Sequence, residues 1–329
     1  MIVRENLTIR PYQMSDVQAL AEIANAVNEA IGSEHRTNAS EMRSYFELPS
    51  FDIANDSFVI ERGGQIVGMT DLEFSAASGR SWVDGRVHPD FWRQGIGAQL
   101  ISLTEARVLE RGEAECAPEQ PISLHRHAVD TNTAAIRLFK ARGYSHVRSY
   151  YRMRKALDQP INVAGDAVPP LPGGLVLRPF DEARDARTVY EAHEEAFEDH
   201  WGFERDSFED WVHYKLRRPG ADTSMWLVAY DGDEIAGMCL SRPYSEHEPE
   251  LAYVNVLGVR RPWRKQGLGS ALLQQSFALF QERGFRHAGL GVDSSSLTNA
   301  VALYERAGMH VHEREGAYRK MLRGEASEG

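Results

Sequence analysis

The segment VRRPWRKQGLG, at residues 259–269, joins a predicted strand at 251–259 to a predicted helix at 267–283. Glycines at positions 267 and 269 let the backbone approach a ligand closely and leave amide N–H groups accessible. A helix N-terminus also carries partial positive charge, so this turn suits a phosphate-rich anion. The segment lacks both the G-x-x-x-x-G-K-[ST] loop and the third glycine of G-x-G-x-x-G. The simpler alternative is a tight strand–helix turn with exposed basic residues.

The pattern around this turn occurs twice in the chain. KQGLG at 265–269 repeats RQGIG at 93–97, LVLRPF at 175–180 repeats LTIRPY at 7–12, and LYERAG at 303–308 repeats LFKARG at 138–143. The offsets of 172, 168 and 165 residues are too long for a solenoid unit and indicate two copies of one domain. Proline and glycine are dense at 160–174, which disfavours regular structure. We therefore predict an N-terminal domain at 1–158, a linker at 159–173 and a C-terminal domain at 174–329.

Composition excludes several classes of protein. The 329 residues are 42% hydrophobic, as in ordinary globular proteins, and the net charge of −11 disfavours binding to nucleic acids or anionic membranes. The two cysteines, Cys116 and Cys239, provide neither a disulfide framework nor the spacing of a zinc site, so no metal is expected. We find no signal segment at the start and no apolar run of about 20 residues, so we expect a cytoplasmic protein.

Each copy has the same predicted order of elements. A short strand precedes an amphipathic helix, two or three strands follow, and the last of these enters the glycine-rich turn and a long helix. A further strand and a shorter helix complete the prediction for each copy. Antiparallel hairpins followed by a β-α-β unit indicate an α+β fold, with a mixed central sheet flanked by helices.

These motifs resemble the GNAT superfamily of N-acetyltransferases. Its signature [Q/R]-x-x-G-x-[G/A] is matched by residues 264–269, and its later pattern N-x-x-A-x-x-L-Y-x-x-x-G-[F/Y] by residues 132–144, with Phe139 replacing the tyrosine. In the second copy the later pattern is matched from Ala300 to Met309, with Asn299 displaced. The resemblance covers nearly the whole chain as two tandem domains, a layout similar to that of the mycothiol synthases. It implies that the chain transfers acetyl groups from acetyl-CoA.

The resemblance also implies which residues bind acetyl-CoA. In the family, backbone groups of the strand before the turn align the pantetheine arm and acetyl carbonyl, and amides of the turn hold the pyrophosphate. In the second copy the corresponding residues are Leu257, Val259, Arg264, Lys265, Gln266, Gly267, Leu268, Gly269, Ser270 and Asn299. In the first copy they are Gly85, Val87, Arg93, Gln94, Gly95, Ile96, Gly97, Ala98 and Asn132, and Trp92 stands at the [Q/R] position.

Acetyl transfer to an amine needs a proton acceptor for the amine and a proton donor for the departing thiolate. The resemblance assigns the donor role to Tyr304, whereas Phe139 in the first copy cannot donate a proton. On helical periodicity alone, Tyr304 is a core residue. We expect the second copy to be catalytic and the first non-catalytic. The usual positions of the base fall on Tyr253 and Asn255, neither of which is acidic, so the nearby Glu250 is the candidate base.

The acceptor is predicted to be a small-molecule primary amine. In this superfamily, the region after the first helix commonly lines the acceptor site, and here it contains Asp199, His200 and Trp201. Acidic and aromatic side chains attract a cationic amine, although a solvated helix end is the equally simple alternative. Tyr253 and Asn255 are further substrate-binding candidates. Two other functions stay open: an acyl-CoA-binding regulator or scaffold without turnover, and a protein or peptide acetyltransferase. The sequence does not indicate an oligomeric state.

Overall fold

A computed structural model describes residues 7–157, 169–296 and 299–325. Residues 1–6, where a signal segment would begin, most of the predicted linker, and residues 297 and 298 lie outside this range. The chain forms two compact units. Unit 1 consists of residues 1–149 and 315–329, and unit 2 of residues 150–314.

The first half of the chain contains six strands and four α-helices among its described residues. In chain order they are β1 (Leu7–Arg10), α1 (Val17–Ala30), α2 (Ala39–Phe46), β2 (Ser57–Arg62), β3 (Gln65–Ser75), β4 (Arg80–Val87), α3 (Ile96–Glu115), β5 (Ile122–Val129), α4 (Thr133–Ala141) and β6 (Ser145–Ala156). The two long helices form where apolar residues recur at helical spacing: α1 buries Leu20, Ile23, Ala24 and Val27.

The second half repeats this order with one addition. Its elements are β7 (Val176–Arg178), α5 (Glu182–Phe197), α6 (Phe208–Val212), β8 (Leu227–Asp231), β9 (Glu234–Ser245), β10 (Glu248–Val259), α7 (Leu268–Glu282), β11 (His287–Asp293), α8 (Ala300–Arg306) and β12 (His310–Arg323). A single π-helical turn, His213–Arg217, continues α6. The predicted fold class is confirmed, because each unit is a mixed sheet with helices packed against it.

The final strand of each half was not predicted, and the two halves of the chain exchange these strands. In unit 1 the order is β1-β2-β3-β4-β5-β12, and in unit 2 it is β7-β8-β9-β10-β11-β6. Glu315–Arg323 of β12 pairs antiparallel with β5, while Tyr150–Ala156 of β6 pairs antiparallel with β11. The boundaries of the compact units therefore differ from those of the predicted domains, 1–158 and 174–329. The predicted boundaries stay a prediction about where each sequence repeat begins and ends.

Strand β9 shows how unit 2 builds a core on both faces of its sheet. Cys239 points into the cluster that contains Leu272 and Phe277 of α7, whereas Met238 and Leu240 point into the cluster that contains Val189 of α5. Successive strand residues face opposite sides of a sheet, so this alternation requires helices on both sides. We call the two sides of unit 2 the α7 face and the α5 face.

Candidate active site

The two glycine-rich turns have the same backbone conformation. Gly95 and Gly267 begin α3 and α7 with φ of +85° and +86°, and Arg93 and Lys265 both have φ of +61°. Backbone that alternates between the left- and right-handed regions directs successive N–H groups to one side and forms an anion-binding concavity. Only glycine adopts φ near +85° without strain, which accounts for its place at both turns.

The amide N–H groups of the second turn are available to a ligand. The first helical hydrogen bond runs from Ala271 N–H to the Gly267 carbonyl, so the N–H groups of Leu268, Gly269 and Ser270 have no acceptor within the helix. Gly267 has no side chain to cap them, and a Cβ placed there would meet no described atom within 4 Å. The geometry therefore fits an anion at this helix start.

Strands β10 and β11 separate before β10 reaches this turn. Their parallel pairing ends at Val254 and Leu290. The Arg260 N–H donates to the Ala236 carbonyl of unit 2, so the backbone groups of Val259 and Leu257, at alternate positions, point away from β9. Leu257 therefore presents its N–H at the edge that β11 has left, which we call the open edge. In unit 1, β4 and β5 likewise separate after Val83, and Gly85 and Val87 follow.

A β-bulge distinguishes the open edge of unit 2 from that of unit 1. Val254 lies opposite Ser241 and Val256 opposite Leu240, so Asn255 is the extra residue. The register between β3 and β4 runs without a break from Gly68 and Val87 to Ser75 and Arg80. Bulges increase the local twist and change the direction of side chains, and they are common beside active sites.

Trp92 of unit 1 stands where unit 2 has Arg264, and the two side chains make the same hydrogen bond to the end of the preceding strand. Arg264 Nε donates to the Val259 carbonyl at 2.9 Å, and Trp92 Nε1 donates to the corresponding Val87 carbonyl at 2.6 Å. Both side chains fix the end of the strand to the turn. The sequence difference at the [Q/R] position therefore leaves this turn geometry in place in unit 1.

Tyr304 lies on α8 in the apolar cluster on the α7 face and is 8% exposed. Burial raises the pKa of its phenol above the usual range, and the nearby Cys239 raises the pKa further. Cys239 is the cross-strand partner of Leu257, and Leu257 packs against the same cluster, so Tyr304 lies on the α7 face near these two residues. Within the described residues, its hydroxyl has no hydrogen-bond partner. Tyr304 is thus a core residue whose phenol stays protonated at neutral pH and has no acceptor among the described residues.

Unit 1 contains a buried arginine beside Phe139 and Gly85, which are the counterparts of Tyr304 and Leu257. Arg126, on β5, is 3% exposed and donates Nε to the Tyr144 hydroxyl at 3.4 Å and Nη2 to Thr104 Oγ1. Its guanidinium lies over the ring of Phe139, and a Cβ built on Gly85 would be 3.6 Å from Nη1. At the 165-residue offset of the later motif, unit 2 has glycine, Gly291. Sequence analysis missed Arg126, although an arginine within an apolar strand pattern was a usable signal.

The basic residues around the second turn are paired with the end of α5. Arg260 Nε lies 2.8 Å from Glu195, Arg261 Nη1 lies 2.9 Å from Glu198, and Arg264 Nη1 lies 2.7 Å from Asp199. Hydrogen bonds from Arg261 and Arg264 lower the pKa of Asp199 to about 2. Arg264 Nη2 also donates to the Ala196 carbonyl at 3.0 Å. These ion pairs fix α5 to the turn and offset the positive charge that the sequence places there.

His200 lies between the end of α5 and the separated strands. Its ring contacts Phe197 at 4.4 Å, and Phe197 would meet a Cβ on Gly258 at 3.1 Å. Burial lowers the pKa of His200, and the charge of Asp293 at the end of β11 partly offsets this effect. Trp201 follows directly. His200 is therefore largely neutral at pH 7 and lies on the α5 face, near the ends of both β10 and β11.

Tyr253 and Glu250 lie at different distances from the open edge. Tyr253 covers β11, since a Cβ on Gly291 would be 3.2 Å from its hydroxyl, and its ring contacts Tyr244 at 5.1 Å. Glu250 is exposed, pairs with Arg286 at 3.7 Å, and precedes Leu257 by seven residues, about 20 Å along a strand. The structure thus brings Tyr253 and Asn255 near the open edge and places Glu250 at the other end of β10.

The remaining predicted residues have local roles in the described structure. Gln94 and Gln266 donate to the Asp90 and Pro262 carbonyls within their turns. The Asn132 side chain caps α4 by accepting from Ala135 N–H at 3.1 Å, whereas Asn299 begins α8 with φ of +54° and makes no such cap. Ile96, Gly97 and Ala98 form the first turn of α3, so their amides correspond to those of Leu268, Gly269 and Ser270. Their binding roles stay predictions.

Comparison with known proteins identifies the class. A model of the acetyltransferase (GNAT) family matches residues 186–309, and a model of the acetyltransferase (GNAT) domain matches residues 54–146. The chain therefore belongs to the GNAT acetyltransferases and carries two of their domains in tandem. It is an acyltransferase that uses acetyl-CoA.

Relatives and solved structures match this chain over most of its length. The chain is 30% identical to the mycothiol acetyltransferase of Salinispora arenicola over 74% of this chain and 75% of that protein. It is 28% identical to the mycothiol acetyltransferase of Thermobispora bispora over 94% and 96% of the two chains. A solved GCN5-related N-acetyltransferase from Sphaerobacter thermophilus has 31% identity and a TM-score of 0.77, covering 97% of both chains. A tandem GNAT protein from the clavulanic acid biosynthesis pathway, 18% identical, shares the fold with a TM-score of 0.73 over 98% and 100% of the chains.

The described residues contain neither a metal-binding cluster nor a helix suited to a bilayer. No cluster of three or more histidine, cysteine, aspartate or glutamate side chains arranged to hold a metal ion occurs there. None of the helices in that part of the chain has both the length and the apolar character needed to cross a bilayer.

Proposed function

We propose that unit 2 transfers the acetyl group of acetyl-CoA directly to a primary amine of a small molecule, and that unit 1 does not catalyse transfer. The observation that carries this proposal is the open edge of β10, together with the packing of Leu257 and Tyr304 in one apolar cluster beside it. The relatives named mycothiol acetyltransferase support a small-molecule amine as acceptor. The particular amine is a matter for experiment.

The second glycine-rich turn would hold the pyrophosphate of acetyl-CoA. The N–H groups of Leu268, Gly269 and Ser270 point out of the helix start, and the helix dipole adds partial positive charge. Backbone groups of Val259 and Leu257 would align the pantetheine arm along the open edge. The Leu257 N–H would donate to the acetyl carbonyl and stabilise the negative charge that develops on its oxygen during attack.

Proton transfers complete the reaction. The neutral amine attacks the thioester carbon, the C–S bond breaks, and Tyr304 gives its proton to the departing thiolate. His200 is our candidate to accept the proton that the amine loses, because its lowered pKa keeps it neutral at pH 7. The Tyr304 phenol is then restored from solvent. No acyl-enzyme forms in this scheme, and Cys239 is fully buried.

Unit 1 has the turn but lacks other parts of this arrangement. Phe139 replaces the tyrosine, the bulge is absent, and the Arg126 guanidinium lies close to Gly85. A buried cation beside the position where the carbonyl would lie takes space that the thioester needs. These three differences support a unit that does not catalyse transfer.

The experiment is a screen of amines with the purified chain and acetyl-CoA, in which thiol release is followed and the product mass identifies the acetylated amine. We expect acetyl-CoA to raise the melting temperature and at least one primary amine to release thiol. Stabilisation by acetyl-CoA with no thiol release from any amine or peptide would favour an acyl-CoA-binding protein. Acetylation of peptides alone would favour a peptide acetyltransferase.

A further inference from the structure

A small cavity on the α5 face of unit 2 adjoins the open edge. The empty space between its walls is about 270 Å³, and part of that space is open to solvent. Its lining residues are Tyr214, Lys215, Arg218, Ala221, Asp222, Trp226, Leu240, Ser241, Arg242 and Asn255. The π-helical turn and the segment after it form one wall, and strands β9 and β10 form the other. The family motifs include none of the charged residues of this lining.

The cavity lining is predominantly cationic. Lys215, Arg218 and Arg242 each contribute a positive charge, and Asp222 is its one carboxylate. Asp222 is already paired with Arg283 at 3.0 Å. Counted by formal charge, the lining carries three cations and one carboxylate, whereas the sequence predicted an acidic environment for the acceptor.

Lys215 is the cation most affected by this environment. Burial lowers the pKa of its ammonium to about 8, and the charges of Arg218 and Arg242 act in the same direction. The nearby carboxylates Asp206 and Glu194 offset only part of this effect. An anion bound in the cavity would stabilise the charged ammonium of Lys215, because an opposite charge within a few ångströms favours the ionised form.

The position of the cavity connects it to the reaction. Asn255, at the bulge, belongs to its lining and precedes Leu257 by two residues, or about 7 Å along the strand. A molecule whose amine lies at the open edge on the α5 face can therefore place another group in the cavity. Arginine and lysine together favour a carboxylate or phosphate in that place.

We propose that this cavity binds an acidic group of the acceptor, so that the amine acetylated by unit 2 also carries a carboxylate or a phosphate. This inference rests on the proposed function, since it assigns the acceptor of the same site. It makes the charge selectivity of the enzyme a property of Lys215, Arg218 and Arg242. The ion-paired Asp199, in contrast, does not set that selectivity.

The test compares amines that differ only in the acidic group. Each set contains an amino acid, its carboxamide and the phosphate monoester of the matching amino alcohol, at several chain lengths between amine and acid. Thiol release gives kcat/KM, and calorimetry of each amine gives binding without turnover. The variant is Lys215→Met, which removes the charge at similar size. The matched control is Arg217→Gln, because Arg217 is an exposed cation on the same helical turn, pairs with Glu182 and lies outside the cavity lining.

We expect at least one acid to bind, and to react, about ten- to hundredfold better than its carboxamide, as a charge-assisted contact predicts. Lys215→Met should reduce that ratio at least tenfold, while Arg217→Gln leaves it within twofold. A preference for the carboxylate or for the phosphate identifies the acidic group. The proposal is overturned if carboxamides bind as well as the acids, if no acid binds, or if Lys215→Met keeps the ratio. Acetyl-CoA binding and thiol release with other amines test the proposed function separately.

Discussion

Replacing Tyr304 by phenylalanine removes one hydroxyl and leaves the ring in its apolar cluster. Because the hydroxyl has no described protein partner, no protein hydrogen bond is lost, and the free energy of unfolding should change by no more than about 0.5 kcal/mol. The turn that would hold the pyrophosphate is untouched, so the affinity for acetyl-CoA should stay nearly the same. The predicted defect is confined to proton donation.

The loss of a general acid lowers turnover by a factor of about 100 or more, which corresponds to about 2.7 kcal/mol in the activation barrier. Thiol release gives kcat, thermal shift with acetyl-CoA gives binding, and the melting temperature of the free variant checks its fold. Since burial raises the pKa of Tyr304, the wild-type enzyme should show no loss of the donor at alkaline pH up to about 10. Full turnover by a folded Tyr304→Phe variant would refute the general-acid role.

Three further predictions test the two turns, the α5 contacts and the proton acceptor. Gly267→Ala and Gly95→Ala each place a Cβ at φ near +85°, which costs about 1–2 kcal/mol of folding free energy. Only Gly267→Ala should weaken acetyl-CoA-dependent turnover. Equal losses of turnover in the two variants would contradict the assignment of catalysis to unit 2. Asp199→Asn should lower the melting temperature at pH 7. Because the pKa of Asp199 is lowered, its ion pairs stabilise the fold fully above about pH 4, and this stabilisation is lost as the pH falls through about 2. The difference in melting temperature between variant and wild type should therefore shrink on acidification. A difference that does not change with pH would argue against the ion pairs. His200→Gln should lower kcat/KM for amines at pH 7 and remove the extra decline that we expect protonation of His200 to cause in the wild type below about pH 6.5. A pH profile identical to that of the wild type would exclude His200 as the proton acceptor.

The glycine-rich turns could be predicted because their geometry depends on local residues. Left-handed φ values at Gly95 and Gly267, and the strand and helix on either side, follow from residues within one short segment. The repeat then carried the prediction from one turn to the other. The order of the other elements was predictable for the same reason, since helical and strand periodicity are local properties of the sequence.

The charged contacts of the site could not be predicted in this way. Arg264 and Asp199 are 65 residues apart in the chain, and the pairing that lowers the pKa of Asp199 depends on where α5 packs. The same holds for Lys215 and Arg242, which line one cavity although they belong to a π-helical turn and a strand. A basic residue beside a glycine-rich turn indicates anion binding only when its ion-pair partners are known.

The exchanged strands have a consequence for dissecting this protein. A fragment cut at the predicted linker would keep β6 but lose β11, and its own β5 would lack the β12 segment that covers it. Each half would then expose an unpaired strand edge, a known cause of aggregation. Each repeat therefore takes its last strand pairing from the other, and a gene encoding either half alone does not encode the sheet seen here. Although the repeats are related in sequence, we expect either one to lose stability when it is separated from its companion.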